Sequence, residues 1–367
     1  MKTECIQEKL QSALIKTVRM TGKGASFPIL SCILVEAKGT MVVIRATNLD
    51  LGIEISLPAK VEKEGKIAVP GAVFAQYIAS LPAGKRIQLE CKDNNLVITT
   101  DRGKTTIKGI AHDDFPVIPK IGGDTSFMVP IDQFVRGLRS VWYSASVSTI
   151  KPELSSVYIA ATDGVLCFVA TDAFRLAEKK IPVKNIPDHK PILIPMKNIS
   201  DIFRTFEDMN GEAEIMFNEN QISIYFETIY VTSRLTDGMF PDYQQIVPKT
   251  AAIKAIVLKN DLLNALKVAT IFSNKLNQSK ITISPKNKNI EIVTKNAETG
   301  ENTEFIEASI SGEGIEMMVN FRYLLDCFQS ISSDSISLAC IDARKPVIVT
   351  GVGDSSFLYL VMPMNNT

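Results

Sequence analysis

The histidines are the first residues to test for catalysis, because histidine is the commonest general base in enzymes. The chain has two, His112 and His189. His112 precedes Asp113 and Asp114, and His189 lies between two nearby prolines. Neither has a nucleophile at a recognisable motif spacing, and no further carboxylates recur near the acidic pair to complete a metal site. We interpret both histidines as loop residues and expect no catalytic site, no metal and no cofactor.

Two glycine-containing runs are candidate phosphate-binding loops. Residues 22–26 lack the G-x-x-x-x-G-K-[ST] order of a phosphate loop, and residues 351–353 lack the third glycine and following helix of a dinucleotide site. Both runs are interpreted as turns. This interpretation argues against a nucleotide-processing enzyme.

The cysteines offer no clear redox or metal chemistry. None forms a C-x-x-C pair, and most lie inside apolar runs. We favour buried reduced thiols over disulfides or a zinc site. The cysteines are Cys5, Cys32, Cys91, Cys167, Cys327 and Cys340.

Basic residues spaced for one helical face indicate a different chemistry, contact with phosphate groups. Lys9, Lys16 and Arg19 are seven and three residues apart, and Arg136 and Arg139 are three apart. Such a stripe can follow nucleic-acid phosphates without reading bases, but ordinary solvated helix faces carry similar charges. Lys plus Arg equals Asp plus Glu at 40 each, so the net charge does not decide between the two.

The elements that carry these residues form a repeat of about 125 residues. A short apolar strand, a capping residue and a helix recur, and the capping residues Pro70, Pro195 and Asn320 are 125 residues apart in both steps. A threonine at the end of a β-rich run recurs 124 and then 123 residues later. These threonines are Thr47, Thr171 and Thr294.

Proline-rich segments separate the repeats. Residues 115–119 and 240–248 disfavour both helix and central strand, so they are predicted to be extended linkers. The three predicted domains are 1–120, 121–249 and 250–367. Each is predicted to be an α+β unit with two helices packed on antiparallel sheets, for example helices over 6–20 and 71–81 in the first.

The chain carries no membrane or export signal that we recognise. No stretch approaches the roughly 20 apolar residues that a membrane helix needs, and the first residues lack an apolar signal core. We therefore expect a cytoplasmic protein.

Three motifs, together with the three repeats, resemble a known family. They are ATDAFRL at 170–176, FPDY at 240–243 and VMPM at 361–364. In this order and at this spacing they resemble the β subunit of bacterial DNA polymerase III, the sliding clamps, over the whole chain. The resemblance implies a head-to-tail homodimer that closes a six-domain ring around duplex DNA, with helices inside and sheets outside. It also implies a processivity factor without enzymatic activity.

The resemblance favours DNA contact for the basic helix residues. Weak, sequence-independent contacts suit a ring that slides. Where relatives often have a basic residue in the loop before the Pro-Ile-Leu segment, this chain has Gly24, which leaves Lys23 as the nearest candidate. The candidate DNA-facing residues are Lys9, Lys16, Arg19, Lys23, Arg136, Arg139, Lys197 and Lys267.

The family also has a pocket that receives short extended peptides from polymerases, the clamp loader and repair proteins. Methionine and leucine give a soft apolar surface, and Arg175 can fix polar groups of a peptide. Core packing is the alternative role for the C-terminal methionines. Motif by motif, the pocket residues are Leu154, Thr171, Ala173, Phe174, Arg175, Leu176, Pro241, Ile246, Asn320, Tyr323, Pro346, Leu360, Val361, Met362, Pro363 and Met364.

The pocket departs from the family pattern at several positions. Relatives often have Gly followed by His or Tyr where this chain has Ala173 and Phe174. They often have Arg where this chain has Gln244, Gln245 and Asn365. The resemblance therefore leaves the peptide preference of the pocket open.

The family closes its ring by pairing an edge strand of the first domain with one of the partner's third domain. Opposite charges on two exposed edges favour pairing between different edges over self-pairing. The candidate interface residues are Arg102 and Lys104 on the first edge, Glu298, Glu301 and Glu304 on the second, and Ile271 and Phe272 at the apolar centre. Unrelated surface charges, and a monomeric interaction scaffold, remain the alternatives.

Overall fold

The computed structural model describes residues 1–22, 27–122 and 125–364. Lys23 therefore lies outside the described residues. The chain divides into two compact units, Met1–Val135 with Lys197–Leu235 and Arg136–Met196 with Thr236–Thr367. Each unit contains one long and one short antiparallel sheet, and residues of the middle repeat contribute to both units.

Six α-helices lie in the described part of the chain, two from each repeat, as the α+β pattern predicts. They are α1 (Gln7–Thr17), α2 (Gly71–Ala79), α3 (Ile131–Val141), α4 (Met196–Thr205), α5 (Lys259–Ala269) and α6 (Phe321–Cys327). Single 3-10 turns lie at Val18–Met20, Pro28–Ser31, Trp142–Ser144, Tyr243–Gln245 and Phe328–Ser330. The helix predicted over 6–20 thus ends with a 3-10 turn, and the one predicted over 71–81 ends two residues early.

The first unit contains two sheets, with strands numbered in chain order. The five-stranded sheet has the order β5 (Lys60–Lys63), β1 (Lys2–Ile6), β7 (Arg86–Lys92), β8 (Asn95–Thr100) and β9 (Gly103–Lys108). The eight-stranded sheet has the order β10 (Thr125–Pro130), β15 (Glu212–Phe217), β16 (Gln221–Phe226), β17 (Ile229–Arg234), β4 (Leu51–Pro58), β3 (Met41–Thr47), β2 (Cys32–Lys38) and β6 (Gly65–Pro70).

The second unit contains the other two sheets. The nine-stranded sheet has the order β14 (His189–Pro195), β11 (Ser156–Thr162), β12 (Val165–Thr171), β13 (Arg175–Pro182), β26 (Phe357–Val361), β25 (Val347–Gly351), β24 (Ser335–Cys340), β18 (Ile253–Leu258) and β22 (Ser309–Ser311). The four-stranded sheet has the order β21 (Gly300–Glu307), β20 (Asn289–Asn296), β19 (Gln278–Ser284) and β23 (Ile315–Asn320). The prediction of a loop at His189 is wrong, because this residue begins β14.

Strand pairing between repeats makes each long sheet continuous. In the first unit β4 pairs with β17, with Leu51 opposite Ser233. In the second unit β13 pairs with β26, with Arg175 opposite Val361. The third-repeat strand that corresponds to β4 and β13 is β21. The first-repeat strand that corresponds to β17 and β26 is β9. Both lie at sheet edges, so each has one unpaired side within the described residues.

Apolar helix faces pack closely against the sheets. Gly137 of α3 shows how closely, because a Cβ atom built there would lie 2.3 Å from ring atom Cε2 of the fully buried Phe168. Only a glycine allows α3 to approach β12 this closely.

The cysteines are all free thiols. Cys91 and Cys167 are only partly buried, so the prediction of buried thiols holds for the other four. Burial raises the pKa of the Cys5 thiol to about 12. Among the described residues no helix is long and apolar enough to cross a membrane.

Candidate functional site

The loop between β12 and β13 is held by its own side chains. Thr171 Oγ1 donates a hydrogen bond to the Arg175 carbonyl at 2.7 Å and accepts one from the Ala173 N–H at 3.2 Å. Asp172 Oδ1 accepts from the N–H groups of Phe174 and Arg175, both at 3.0 Å. Ala173 has a φ of +75°, a left-handed conformation that favours glycine. The loop is therefore a rigid turn with one strained residue.

Arg175 is fixed between this turn and α6. Its Nε donates to Asp172 at 2.9 Å, its Nη1 donates to Asp326, and its guanidinium carbon lies 4.5 Å from the ring centroid of Tyr323. The Arg175 side chain is 12% exposed, and that of Asp326 is 43% exposed. Burial opposes the charge, but Tyr359 and the two carboxylates outweigh it and raise the pKa of Arg175. The guanidinium therefore remains charged and its position is defined.

The C-terminal segment runs along the same turn. The Met362 N–H donates to the Phe174 carbonyl at 2.8 Å, and the Met364 N–H donates to the Met318 carbonyl on β23 at 2.8 Å. Phe174 is 62% exposed and Met362 is 37% exposed. These two large apolar side chains therefore form an accessible rim.

A buried apolar cluster lies behind this rim. It consists of Val169, Leu176, Tyr243 and Leu360. Tyr158 and Phe240 pack against it, with their ring centroids 5.0 Å apart. Strand pairing explains why the cluster forms, because Leu176 on β13 lies opposite Leu360 on β26. This cluster is the floor of the candidate pocket.

Most of the predicted pocket residues are neighbours in the second unit. Strands β12 and β13 carry Thr171, Arg175 and Leu176, and β26 carries Leu360 and Val361. Asn320 and Tyr323 lie at the start of α6, and Pro346 precedes the strand residue opposite Val361. Pro241 and Ile246 are exposed on the linker, and Leu154 lies in the turn before β11. The linker is not fully extended as predicted, since Tyr243–Gln245 forms a 3-10 turn. Asn320 caps α6 by accepting a hydrogen bond from the Arg322 N–H at 3.0 Å.

Sequence reasoning missed several residues that build this site. Asp326 follows Tyr323 by one helical turn, which is a usable but weak signal. Glu178 has a clearer one, because a glutamate stands seven residues after the repeated threonine in both of the first two repeats, as Glu54 and Glu178. Tyr243 belongs to the FPDY motif, but the motif alone does not predict that this tyrosine is buried.

The residues of the predicted basic stripe on the first helix differ in exposure. Lys9 and Arg19 are exposed. Lys16 is half-buried, and its Nζ donates to the carbonyl of Thr205 at the end of α4 at 2.7 Å. Burial and the nearby Arg19 lower the pKa of Lys16. Lys16 therefore connects α1 with α4.

The remaining candidate DNA-facing residues that the structure describes are exposed. Lys267 lies on α5, and Arg136 and Arg139 lie on α3. Lys197, at the start of α4, forms an ion pair with Asp50 at 2.5 Å. Surface pairs of this kind contribute at most about 1 kcal/mol, so this pairing does not remove Lys197 from the candidates.

The candidate interface residues lie on or beside the two unpaired edges. Arg102 is in the turn before β9 and Lys104 is exposed on β9, while Glu298 precedes β21 and Glu301 and Glu304 lie on it. Glu301 pairs with Lys295 at 2.8 Å. Ile271 is 65% exposed. The ring atom Cε1 of Phe272 lies 4.0 Å from where a Cβ atom built on Gly300, the first residue of β21, would be.

Comparison with known proteins identifies the family. Models of the N-terminal, central and C-terminal domains of the DNA polymerase III beta subunit match residues 1–119, 128–242 and 244–365. The beta sliding clamp of Synechocystis sp. is 28% identical over 388 residues, covering 99% of each chain, and that of Staphylococcus epidermidis is 25% identical over 358 residues, covering 95% of each.

Solved structures give the same result. The sliding clamp from Bartonella birtlesii bound to griselimycin has a TM-score of 0.94 at 26% identity. The DNA polymerase sliding clamp from Bacillus subtilis has a TM-score of 0.94 at 23% identity, and each comparison covers 100% of both chains. The chain therefore belongs to the DNA polymerase III beta subunit family, the sliding clamps, whose members are non-catalytic processivity factors of DNA replication.

Proposed function

We propose that two copies of this chain pair head to tail in the cytoplasm and close a ring of six repeats around duplex DNA. The observation that carries this proposal is that, among the described residues, β9 and β21 lack the partner strand that their equivalents in the other repeats have. The counterparts of these two strands pair within the chain, β17 with β4 and β26 with β13. A strand edge without a partner is a template for pairing with another chain.

The internal pairs predict the register of the β21 edge. Arg45 on β3 lies opposite Glu54 on β4, and Ile292 on β20 lies opposite Glu304 on β21. Arg45 stands two residues before the repeated threonine, and so does Ile292. Glu304 is therefore the third-repeat equivalent of Glu54.

The hairpins predict the register of the β9 edge in the same way. In the β16–β17 hairpin the second pair from the turn is Tyr225 with Tyr230, and in the β8–β9 hairpin it is Thr99 with Lys104. Lys104 is therefore equivalent to Tyr230. Because Tyr230 lies opposite Glu54 within the chain, Glu304 is expected opposite Lys104 of the partner subunit.

The charges on the two edges favour this pairing. The β9 edge carries Arg102, Lys104 and Lys108, and the β21 edge carries Glu298, Glu301, Glu304 and Glu307. Cross-strand opposite charges stabilise a strand pair, whereas pairing either edge with itself would place like charges together. Each subunit offers one edge of each kind, so the assembly can close as a ring.

Charge exchange at this predicted contact tests the ring. We expect Lys104→Glu and Glu304→Lys, each alone, to shift the dimer toward monomer at micromolar concentration and to abolish retention on nicked circular DNA. The double variant should restore both. Size-exclusion chromatography with light scattering gives the mass, and a bead-retention assay gives the DNA result. Lys60→Glu, which makes the same charge change on the other edge of the same sheet, is the matched control.

Two outcomes would contradict the ring. Either single variant could remain fully dimeric and retained on circular DNA, or wild-type protein could be a monomer at micromolar concentration.

Within a dimer, Arg136→Glu with Arg139→Glu should lower retention while leaving the mass unchanged. Unchanged retention would remove α3 from the DNA-facing surface.

We also propose that the pocket around Arg175 binds short extended peptides of the replicative polymerase, the clamp loader and repair proteins. The apolar floor, the exposed Phe174 and Met362, and the fixed Arg175 support this role, because they combine an adaptable apolar surface with a few defined polar groups. Griselimycin, the ligand of the Bartonella relative, is expected to bind in the same pocket.

Removal of residues 362–367 tests the pocket. The truncation deletes the Met362 contact to the Phe174 carbonyl but leaves β26 intact. We expect calorimetry to show loss of binding of griselimycin and of a polymerase tail peptide, while light scattering still shows a dimer. Retained binding of both ligands would refute the pocket assignment.

A further inference from the structure

We infer that Glu178, which was not among the predicted pocket residues, is a positioning residue. Through Tyr243 it holds the linker segment 240–246, which forms one wall of the pocket, in place. The inference rests on the proposed peptide pocket. Glu178 is an 8% exposed carboxylate on β13, next to an otherwise apolar cluster. A buried carboxylate is costly unless it is hydrogen-bonded, so its partners indicate what it does.

One oxygen of Glu178 is bound to the linker. Tyr243 Oη donates to Glu178 Oε2 at 2.6 Å, and Lys180 Nζ pairs with the other oxygen, Oε1, at 2.9 Å. Cys167 Sγ lies 3.5 Å from Tyr243 Oη and 3.8 Å from Glu178 Oε2. Burial, together with Cys167 and Glu178, raises the pKa of Tyr243, so its hydroxyl stays protonated and able to donate. A hydrogen bond to a charged acceptor is among the stronger ones in proteins.

Tyr243 connects this bond to the pocket wall. Its ring is part of the buried floor, and it begins the 3-10 turn in the linker segment 240–246. The two predicted pocket residues on this segment, Pro241 and Ile246, are exposed. The Ile246 N–H donates to the Tyr243 carbonyl at 3.1 Å, so the position of Tyr243 sets that of the wall.

The first repeat supplies a natural comparison. There Glu54 occupies the equivalent strand position, but it binds Arg45 at 2.6 Å and Lys120 at 2.8 Å. The residue equivalent to Tyr243, three after the phenylalanine of the linker motif, is Ile118, which has no hydroxyl. The glutamate is thus shared by the repeats, but a bond from it to a tyrosine of the linker motif is found in the repeat with the pocket, whereas Glu54 binds Lys120 just after the first linker motif.

The test compares variants that remove or keep the acceptor. We expect Glu178→Ala and Tyr243→Phe each to weaken griselimycin binding about tenfold, the amount expected when one charge-assisted hydrogen bond is lost. Glu178→Gln keeps a carbonyl oxygen for the tyrosine hydroxyl and should bind within about twofold of wild type. Lys180→Ala should leave affinity unchanged, because the lysine pairs with Oε1 of Glu178, the oxygen that does not accept from Tyr243.

Hydrogen exchange separates positioning from a general loss of stability. In Glu178→Ala, faster amide exchange should be confined to residues 240–246, with an unchanged dimer mass. Glu54→Ala is the matched control, which should alter neither griselimycin affinity nor exchange in 240–246. If wild type binds griselimycin and Glu178→Ala binds equally well, the inference is wrong. If wild type does not bind, the proposed pocket itself fails, and exchange in 240–246 still reports on the anchor.

Discussion

The turn at residues 47–51 and the turn at residues 171–175 have the same backbone but different surroundings. In both, the threonine hydroxyl donates to the carbonyl four residues later, at 2.9 Å in the first and 2.7 Å in the second. In both, an Asn or Asp side chain accepts two backbone N–H groups. Leu49 and Ala173, at the same position, have φ values of +76° and +75°.

The strands that flank these turns differ in what they bury. Next to the first turn, Arg45 forms ion pairs with Glu36 and Glu54. The residue equivalent to Arg45 beside the second turn is Val169, in the apolar floor. The same scaffold therefore holds a charged cluster in one repeat and a candidate pocket in the other.

The residue whose backbone N–H binds each turn also differs between the two regions. The Arg234 N–H donates to the Asp50 carbonyl at 2.8 Å, just as the Met362 N–H donates to the Phe174 carbonyl. The first-repeat turn thus meets a charged residue at the end of β17 from the second repeat, whereas the second-repeat turn meets a flexible apolar residue just after β26 from the third. The backbone builds the turn twice, and side-chain chemistry decides that only one copy offers an apolar binding surface.

The largest expected effect comes from giving the second region the key charge of the first. Val169→Arg would place a guanidinium in the apolar floor, opposite Glu178 on β13. We expect griselimycin affinity to fall at least about 100-fold, with a stability loss of about 2 to 3 kcal/mol, because a buried charge is only partly compensated by one carboxylate. Calorimetry and urea unfolding measure the two effects.

The reverse substitution is the control. Arg45→Val leaves Glu54 with Lys120 and Glu36 with Lys66, so we expect about 1 to 2 kcal/mol of destabilisation and no change in affinity. An equal loss of griselimycin binding in both variants would show that the two regions do not differ in function as described.

The second prediction concerns how α3 lies on the sheet. Gly137→Ala would drive its Cβ into the Phe168 ring, and we expect about 2 to 3 kcal/mol of destabilisation in urea unfolding. The equivalent residues in the first repeat are Ala13 and Ile44, a larger helix residue with a smaller strand residue. Adding Phe168→Ile should therefore recover part of the loss. Strict additivity of the two changes would contradict this complementary packing.

The smallest expected effect is relief of the left-handed turn residue. Ala173→Gly and Leu49→Gly should each stabilise the protein by about 0.5 to 1 kcal/mol, because glycine adopts positive φ without steric cost. Melting temperatures of the two variants check whether the turns are equally strained. Destabilisation by Ala173→Gly alone would show that the methyl group makes a contact that the shared backbone does not account for.

Much of this organisation was predictable from the sequence. The 125-residue spacing of Pro70, Pro195 and Asn320 predicted the repeated strand-helix junctions, and the structure places Pro70 and Asn320 at helix N-caps. Helix boundaries were accurate to a few residues, because helix patterns and caps are local in sequence. The motifs at 170–176, 240–243 and 361–364 identified the family for the same reason, since each is a short contiguous run.

The contacts between distant groups become visible in the folded chain. Arg175 and Asp326 are 151 residues apart, Lys16 and Thr205 are 189 apart, and the bond between Glu178 and Tyr243 spans 65 residues. The first two contacts depend on strand pairing between repeats, and the third depends on the linker packing back against its own repeat; no local spacing encodes either. The repeat, its helices and the family follow from the order of the residues alone. Long-range pairing placed the apolar side chains of β13 and β26 side by side and joined Lys16 to α4. Among the described residues, it left β9 and β21 without the partner strand that their equivalents have.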